Sequence, residues 1–585
     1  MQHDFSQTAS GLPWQLRHDD ARTVLAIAQQ HGVSELLAGI LVGRNVAVDE
    51  VQQFLHPTLR DYLPDPFHLR DMDKAVARLI AAIEAHETIA VFGDYDVDGA
   101  TSTTLLMQYL GSLGVNVIPY IPDRMAEGYG PSVAAFETLI ARGATLIVTV
   151  DCGTLSYEPI AAAKARNVDV IVLDHHLSSG ALPEAYAIVN PNRVDETSPH
   201  RNLAAVGVTF LTLVALNAKL REQGFFAQQK VPEPNLLALL DLVALGSVCD
   251  VMTLTGLNRA FVAQGLKIMA ARKNLGLSVL SDIARMDEAP NVYHLGFLLG
   301  PRINAGGRVG KSGLGVELLT TDDAAVAQTL AATLDLHNQE RQAIEASVSE
   351  QAFALAEQQA NLPVILVAGE GWHQGVIGIV AGRIKERFSR PAIVLSIEDG
   401  VAKASARSVA GVDMGAAVHA AVALGLIEKG GGHVMAAGFS AAAEKLPALH
   451  DFLIARMEAD VARYTESRVL KYDGLLSVSG ANLDTLEDIA RAGPFGLGNP
   501  GPRFVIANAR LLHVAVMKEK HLRVTLGDTS GETRLNAVAF NAVGSVLGQW
   551  LMSEKNLHLL GELKLNRWQG NESAQFMIDD AARVG

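Results

Sequence analysis

VFGDYDVDGAT, residues 91–101, places three carboxylates, Asp94, Asp96 and Asp98, at alternate positions between an apolar run at 88–92 and a helix-like stretch opening with a glycine. A strand followed by a helix is the expected local structure, so negative charge concentrates at the strand's carboxyl end. Such charge is unfavourable unless a cation neutralises it, and hard divalent ions such as Mg²⁺ or Mn²⁺ take oxygen ligands. The pattern predicts metal-assisted chemistry on a phosphate.

Outward from this stretch, residues 70–189 alternate helix and strand, with helices expected at 75–85 and 101–113 and strands at 89–92 and 115–121. The runs 145–150 and 168–173 are β-branched, apolar and uninterrupted, as in parallel strands buried on both faces. The fold class expected is α/β, with a doubly wound, mainly parallel sheet. Ligands in such sheets gather at the carboxyl ends of the strands. The third strand runs into Asp151, within VTVDCGT, and the fourth into Asp174, His175 and His176, within VLDHHLS. Asp250, in GSVCDVMTL after a helical segment at 235–248, is placed to add a ligand from the crevice wall. An isolated Asp after a strand is more often a helix cap or turn former, and Asp174 is open to that reading. Acidic and imidazole groups at successive strand ends favour a pair of metal ions.

The chain has 585 residues, enough for three or four domains at roughly 100–200 residues each. Its 49% hydrophobic and 19% charged residues exclude general disorder. No apolar run reaches the roughly 18 residues of a membrane span, and the N-terminus lacks a basic segment followed by an apolar one, so no membrane association and a cytoplasmic location are expected. Cys152 and Cys249 are the only cysteines, which excludes a disulfide scaffold or a cysteine-rich zinc module. A net charge of −15 argues against nonspecific coating of nucleic acid but leaves room for a cleft with basic walls.

The first 60 or so residues suggest short helices, including 35–42 and 49–55. Helical patterns follow at 204–220 and, with Thr321 as candidate cap, at 322–359, a run long enough to bridge two domains. A smaller α/β unit begins with VILVAGEGW at 364–372, continues through a helix at 376–388 and a strand at 392–397, and reaches the glycine cluster GGGHVMAAG. After about residue 466, short strands with turns in LGDTSGETR and RWQGNES suit a small barrel of the oligonucleotide-binding (OB) type.

GDYDVDGAT, PDRMAEGYG (122–130), TVDCG, DHH, GPRINAGGRVG (300–310), SARS (405–408), GGHVMAAG and PFGLGNPGP (494–502) occur in an order and spacing that resemble the DHH phosphoesterases. The likeness covers nearly the whole chain and falls nearest the bacterial members that degrade single-stranded DNA from its 5′ end. It implies an N-terminal helical segment at 1–68, a DHH domain at 69–315, a connecting helix at 316–360, a DHHA1-like domain at 361–465 and an OB-type barrel at 466–585. The implied activity is hydrolysis of single-stranded DNA to mononucleotides in recombination and repair, using two Mn²⁺ or Mg²⁺ ions, with one ion generating hydroxide near neutral pH and both stabilising charge on the attacked phosphate.

By resemblance, Asp96 and Asp151 hold the first ion and Asp98, Asp151, His175 and Asp250 the second, with Asp151 bridging. Many relatives carry a His where this chain has Phe92, which leaves Asp94 or water to complete the first site. His176 orients a ligand or contacts the scissile phosphate. Arg124, Arg308, Ser405 and Arg407 correspond to contacts with the terminal 5′-phosphate and neighbouring backbone, His433 to a phosphate contact near the metals, and Arg302 and Asn304 to lesser substrate contacts. Lys518, Lys520, Arg523, Arg534, Lys564, Arg567 and Trp568 of the barrel are candidates for binding backbone and stacking a base. The resemblance also implies a monomer, with single-strand-binding protein and a DNA helicase as candidate partners. Two other readings stay open: a phosphodiesterase for short oligonucleotides or cyclic dinucleotides, and a DNA-binding replication factor that has lost hydrolysis.

Overall fold

Five short apolar segments build the sheet that carries the acidic residues. The computed structural model describes residues 5, 7–123, 127–128, 130–178, 180–528 and 533–584. Strands β1 (Ile89–Gly93), β2 (Val117–Tyr120), β3 (Leu146–Val150), β4 (Asp169–Leu173) and β5 (Ala187–Val189) lie in the order β2-β1-β3-β4-β5, all parallel. Alternation along each strand divides the apolar residues between two faces. Val91, Val148 and Ile171 belong to a core that includes residues of α1 (Val97–Ser112) and α2 (Ala205–Glu222), whereas Ala90, Phe92, Ile147 and Val172 pack with the helices Val133–Ala141 and Tyr157–Ala165. The strand order reverses between β1 and β3, which opens a crevice at their carboxyl ends. Asp94 follows β1 and Asp151 follows β3.

Two further helices carry residues toward that crevice, and a third leads away from it. Helix α3 (Leu240–Cys249) ends with Asp250 as its C-cap, and α4 (Gly300–Val309) follows a π-helical turn, His294–Leu299. Helix α5 (Ala324–Glu357) has 34 residues, about 50 Å of rise, and leads into the second α/β unit. Its cap is Asp323, whose carboxylate accepts from the amides of Ala325 and Val326. The expected cap, Thr321, instead accepts from the Asp323 amide at 3.2 Å, because the helix starts two residues later than its composition suggests.

The second unit is a five-stranded sheet ordered Lys429–His433, Ala436–Ala442, Val401–Arg407, Ala392–Glu398 and Ile365–Glu370, in which the final pair is parallel. The first half of the glycine cluster forms an edge strand. A Cβ on Gly432 would lie 2.4 Å from the Ala436 carbonyl oxygen, so part of the glycine requirement comes from hairpin packing.

In the third unit, the strand Phe504–Met517 pairs with His521–Gly527 on one side and with Asn556–Trp568 on the other, closing a ring of five strands, to which Gly474–Leu476 adds a short sixth. The N-terminal residues belong to this unit. Trp14–Leu16 pairs in parallel with Leu470–Tyr472, and Ile27, Leu37 and Ile40 share a core with Phe504, Leu522 and Phe576. Arg259, 0% exposed, fastens this unit to the first. Its guanidinium donates to the carbonyls of Phe54, Ala492, Gly493 and Pro494 and stacks 3.8 Å from the Phe54 ring centroid. Among the described residues, no helix is long and apolar enough to cross a membrane.

Candidate metal centre and substrate cleft

Local backbone chemistry sets each acidic group in place. Asp96 caps α1, its Oδ1 accepting from the amides of Asp98 at 2.9 Å and Gly99 at 3.1 Å. Asp98 reaches across to the start of α2 and accepts from the amides of Ala205 at 2.7 Å and Val206 at 2.8 Å, an arrangement favoured by the positive end of the helix dipole. Asp151 sits at φ 61°, a left-handed conformation that Asp tolerates better than most residues. A Cβ on Gly99 would lie 2.3 Å from the Asp94 carbonyl oxygen, so that glycine lets the β1–α1 turn close tightly.

These groups converge. Potential ligand atoms fall into three clusters, Asp94 with Asp96 and Asp151, Asp98 with His175 and Asp250, and Asp151 with His175 and His176, the atoms of each lying within 4.8 Å of one another. His175 Nε2 stands 3.3 Å from Asp151, 3.5 Å from Asp250 and 3.9 Å from Asp98. Among the described residues, Asp96, Asp98 and Asp250 have no lysine or arginine partner, and Asp250 Oδ2 is buried without a hydrogen bond.

Burial, reinforced by the charge of Asp96, raises the Asp98 carboxyl to about 7. Burial, with the charges of Asp98 and Asp96, raises Asp250 to about 9, and burial together with the neighbouring aspartates pushes Asp151 well above the usual carboxylate range. Burial and the neighbouring His176 lower His175 to about 4, which keeps its ring neutral, the form that can hold a metal ion. Burial would also lower His176, but a 2.8 Å hydrogen bond from Nδ1 to Asp174, together with that residue's charge, raises it to about 9. Burial works to raise Asp174, and the hydrogen bond and charge of His176 outweigh it, leaving Asp174 well below the usual range. The donor set, oxygen-rich with one or two imidazoles and short of counter-charge, fits divalent cations.

Residues 88–247 match the DHH family, N-terminal domain, residues 361–459 the DHHA1 domain, and residues 472–580 the RecJ OB domain. The single-stranded-DNA-specific exonuclease RecJ of Dickeya dadantii (strain 3937) is 39% identical over 543 residues, covering 90% of this chain and 93% of that protein. The chain belongs to the RecJ family. The crystal structure of RecJ in complex with Mn²⁺ from Thermus thermophilus superposes with a TM-score of 0.81 at 28% identity, covering 98% of this chain and 80% of that one. The Mg²⁺ complex from the same organism gives a TM-score of 0.76 at 28% identity, covering 98% of this chain and 79% of that one.

The substrate candidates divide between places. Arg308, Ser405 and Arg407 line one cavity of about 1060 Å³ between the DHH and DHHA1 units, with Lys403 and Lys429 beside them. Arg308 donates to the Gly375 carbonyl at 2.7 Å and Arg407 to Ser405 Oγ at 3.2 Å. His433 joins Thr154, Asp174 and His176 around a second cavity of about 640 Å³ beside the acidic cluster. Arg124 lies outside the described residues. Arg302 donates to Asp335 of α5 at 2.9 Å and to the Leu298 carbonyl of the π-helical turn at 2.8 Å, a link between helices rather than a member of either cavity. Asn304 lines a third, apolar cavity beside Asp250.

Phe92 is fully buried, stacked on Tyr120 with 5.4 Å between ring centroids, and points into the core away from the cluster. Cys152 is buried in the same core. Asp174, open in sequence to either cap or ligand, accepts from the His175 and His176 amides and from the His176 ring, so it orients the histidines. Two positioning residues escape sequence reading altogether. Asn190 Nδ2 donates to the His176 carbonyl at 2.8 Å and Asn192 Nδ2 to the His175 carbonyl at 2.6 Å. A signal for them exists, since both follow the carboxyl end of a short apolar strand, β5. In the barrel, Arg567 pairs with Glu572 and Glu288, Lys564 pairs with Glu562, and Trp568 is exposed at a hairpin tip.

Proposed function

We propose that this chain is a metal-dependent exonuclease that removes mononucleotides from the 5′ end of single-stranded DNA, in recombination and repair. The observation that carries the proposal is the meeting of Asp94, Asp96, Asp98, Asp151, His175 and Asp250 at the crevice between β1 and β3, beside a basic cavity. Asp94, Asp96 and Asp151 would hold one Mn²⁺ or Mg²⁺ ion and Asp98, Asp151, His175 and Asp250 the other. Asp94 thus takes the place of the histidine that many relatives carry at the position of Phe92. Bound there, the ions supply Lewis-acid polarisation of the phosphodiester and acidify water near neutral pH.

The protein's own groups do the rest. Arg308, Ser405 and Arg407 receive the terminal phosphate, because guanidinium donors match its oxygens. His433 and His176 flank the cavity beside the cluster. With Nδ1 held by Asp174, the proton that His176 offers a phosphate oxygen is the one on Nε2. Positioning and electrostatics suffice for such a reaction, and no protein nucleophile is needed. The enzyme acts as a monomer, with single-strand-binding protein or a helicase delivering substrate.

The test is Mn²⁺-supplemented protein given 5′-labelled and 3′-labelled single strands, duplex and a cyclic dinucleotide. Early release of the 5′ label as mononucleotide is expected. Cleavage of the cyclic compound alone, or binding of DNA without hydrolysis, would reject the proposal in favour of the small-substrate enzyme or the scaffold.

A further inference from the structure

The sheet of the DHHA1 unit turns alternate residues toward the basic cavity. In Val401–Arg407, Ala402, Ala404 and Ala406 are buried in that unit's core, whereas Lys403, Ser405 and Arg407 belong to the opposite face and line the cavity. The register carries this face across two more strands. Arg407 pairs with Ala436 and Ala436 with His433; Ser405 pairs with Gly438 and Gly438 with Gly431; Lys403 pairs with Ser440 and Ser440 with Lys429. Three rows result, each about 7 Å further along the strands than the one before. His433, in the first row, borders the cavity beside the acidic cluster, so the rows run outward from the metal crevice and the lysines come last.

This is more positive charge than one terminal phosphate requires. A phosphate monoester carries about −1.5 to −2 near pH 7, which Arg308 and Arg407 already match. The same cavity of about 1060 Å³ continues to Lys403, Lys429 and Ser440, and its described lining sets four cations against one carboxylate, Glu398. Among the described residues, neither lysine ammonium has an ion-pair partner. Their strands stand on either side of Ser440, about 10 Å apart, so two flexible stems can close on one anion between them.

The middle row is bare. Gly431 and Gly438 lie within regular strands and outside the left-handed region. A Cβ on Gly431 would meet nothing within 4 Å, and one on Gly438 only the Ala404 carbonyl oxygen at 3.6 Å, an ordinary contact. Backbone and packing therefore do not demand glycine at either position. What the two glycines provide is an open floor between the arginine row and the lysine row. At the arginine end the cavity is tight, since a Cβ on Gly378 would lie 2.9 Å from Ser405 Oγ and 3.2 Å from Arg407 Nη2.

We propose that the lysine row is a second phosphate subsite, which takes the outer phosphates of a 5′-triphosphorylated single strand while the innermost phosphate lies on Arg308, Ser405 and Arg407. The inference rests on the function proposed above and adds a substrate class to it, the strand whose 5′ end is still the triphosphate of its first nucleotide. The bond cut is the same. The oxygen of water joins the phosphorus of the first internucleotide linkage, and the bond from that phosphorus to the 3′ oxygen breaks. One water proton goes to the departing 3′ oxygen and the other to solvent. The products are a nucleoside triphosphate and a strand ending in a 5′-phosphate, so the lysines serve the first cut only.

The test is single-turnover digestion of one strand sequence bearing a 5′-monophosphate or a 5′-triphosphate, with the first product identified by anion-exchange chromatography. The triphosphate should lower the protein concentration needed for half-maximal rate about ten-fold, and nucleoside triphosphate should appear first. Lys403→Gln combined with Lys429→Gln should abolish that ten-fold preference, and Gly438→Leu, which fills the floor, should abolish it independently. An unchanged Mn²⁺-induced thermal shift would show that the variants remain folded with the cluster intact. A triphosphate that slows cleavage or brings no gain, or variants that weaken both strands by the same factor, would overturn the subsite. Competition by free tripolyphosphate without any preference for the triphosphorylated strand would assign the lysines to a soluble polyphosphate instead. Failure of wild-type protein to shorten the monophosphorylated strand would refute the underlying function, a separate result.

Discussion

Replacing Asp151 by Asn should make the metal-free protein more stable and the metal-loaded protein less so. Asp151 shares clusters with Asp94 and Asp96, ligand atoms lying within 4.8 Å, and like charges at that separation repel by about 3 kcal/mol per pair at an effective dielectric of about 20. Protonation already relieves part of this, because burial and the neighbouring aspartates push the Asp151 carboxyl far up. A net gain of about 2 kcal/mol at pH 8 is therefore expected for the neutral amide. That corresponds to a rise of about 4–8 °C in the melting midpoint of a unit of this size. Asn also accepts the φ of 61°, so the backbone should not oppose the change. With Mn²⁺ at about 100 times its Kd, wild-type protein gains about 2.7 kcal/mol, whereas a variant lacking the bridging carboxylate gains little. The order of the two midpoints should invert when Mn²⁺ replaces EDTA in differential scanning calorimetry, and nuclease turnover should fall by at least about a thousand-fold. A variant that melts below wild type in EDTA and shows an undiminished Mn²⁺ shift would refute the reasoning.

Between about pH 6.5 and 9 the metal-free protein should lose stability as pH rises, because Asp98, Asp250 and His176 have raised pKa values, near 7, 9 and 9, whose contribution is present at low pH and disappears through those values. His175, lowered to about 4, works the other way only below about pH 6.5. Urea titrations in EDTA across that range should show the loss, and saturating Mn²⁺ should abolish it. Gly99→Ala forces a Cβ to within 2.3 Å of the Asp94 backbone, so it should cost about 1–3 kcal/mol and weaken Mn²⁺ binding by at least about ten-fold in calorimetric titration. Arg259→Met removes the guanidinium donor from four carbonyls at the junction with the barrel unit, of which those of Ala492 and Pro494 keep the Asn499 amide, and should cost about 3 kcal/mol, with limited proteolysis releasing that unit at lower urea than in wild type.

The strand ends are legible in the sequence because their chemistry is local. Buried parallel strands leave uninterrupted β-branched runs, and Asp94 to Asp98, Asp151, His175 and His176 stand directly behind them. Asp250 is legible only as a residue after a helix; its approach to His175 depends on how α3 packs across the crevice. Arg302 shows the limit in the other direction, since a neighbouring helix claims its guanidinium through Asp335, more than thirty residues away in sequence. The pairing of Trp14–Leu16 with Leu470–Tyr472 joins the two ends of the chain, and no local pattern announces it. Asn190 and Asn192 go unread because their position behind a short apolar strand is their only local signal, and their task, holding the carbonyls of His176 and His175, depends on the folded chain.

The most direct test of the two-ion site is anomalous scattering from crystals soaked in Mn²⁺. Two peaks about 3.5–4 Å apart are expected, one bounded by Asp94, Asp96 and Asp151 and the other by Asp98, Asp151, His175 and Asp250. An absence of peaks at this crevice, or ions held without Asp151, would contradict the account.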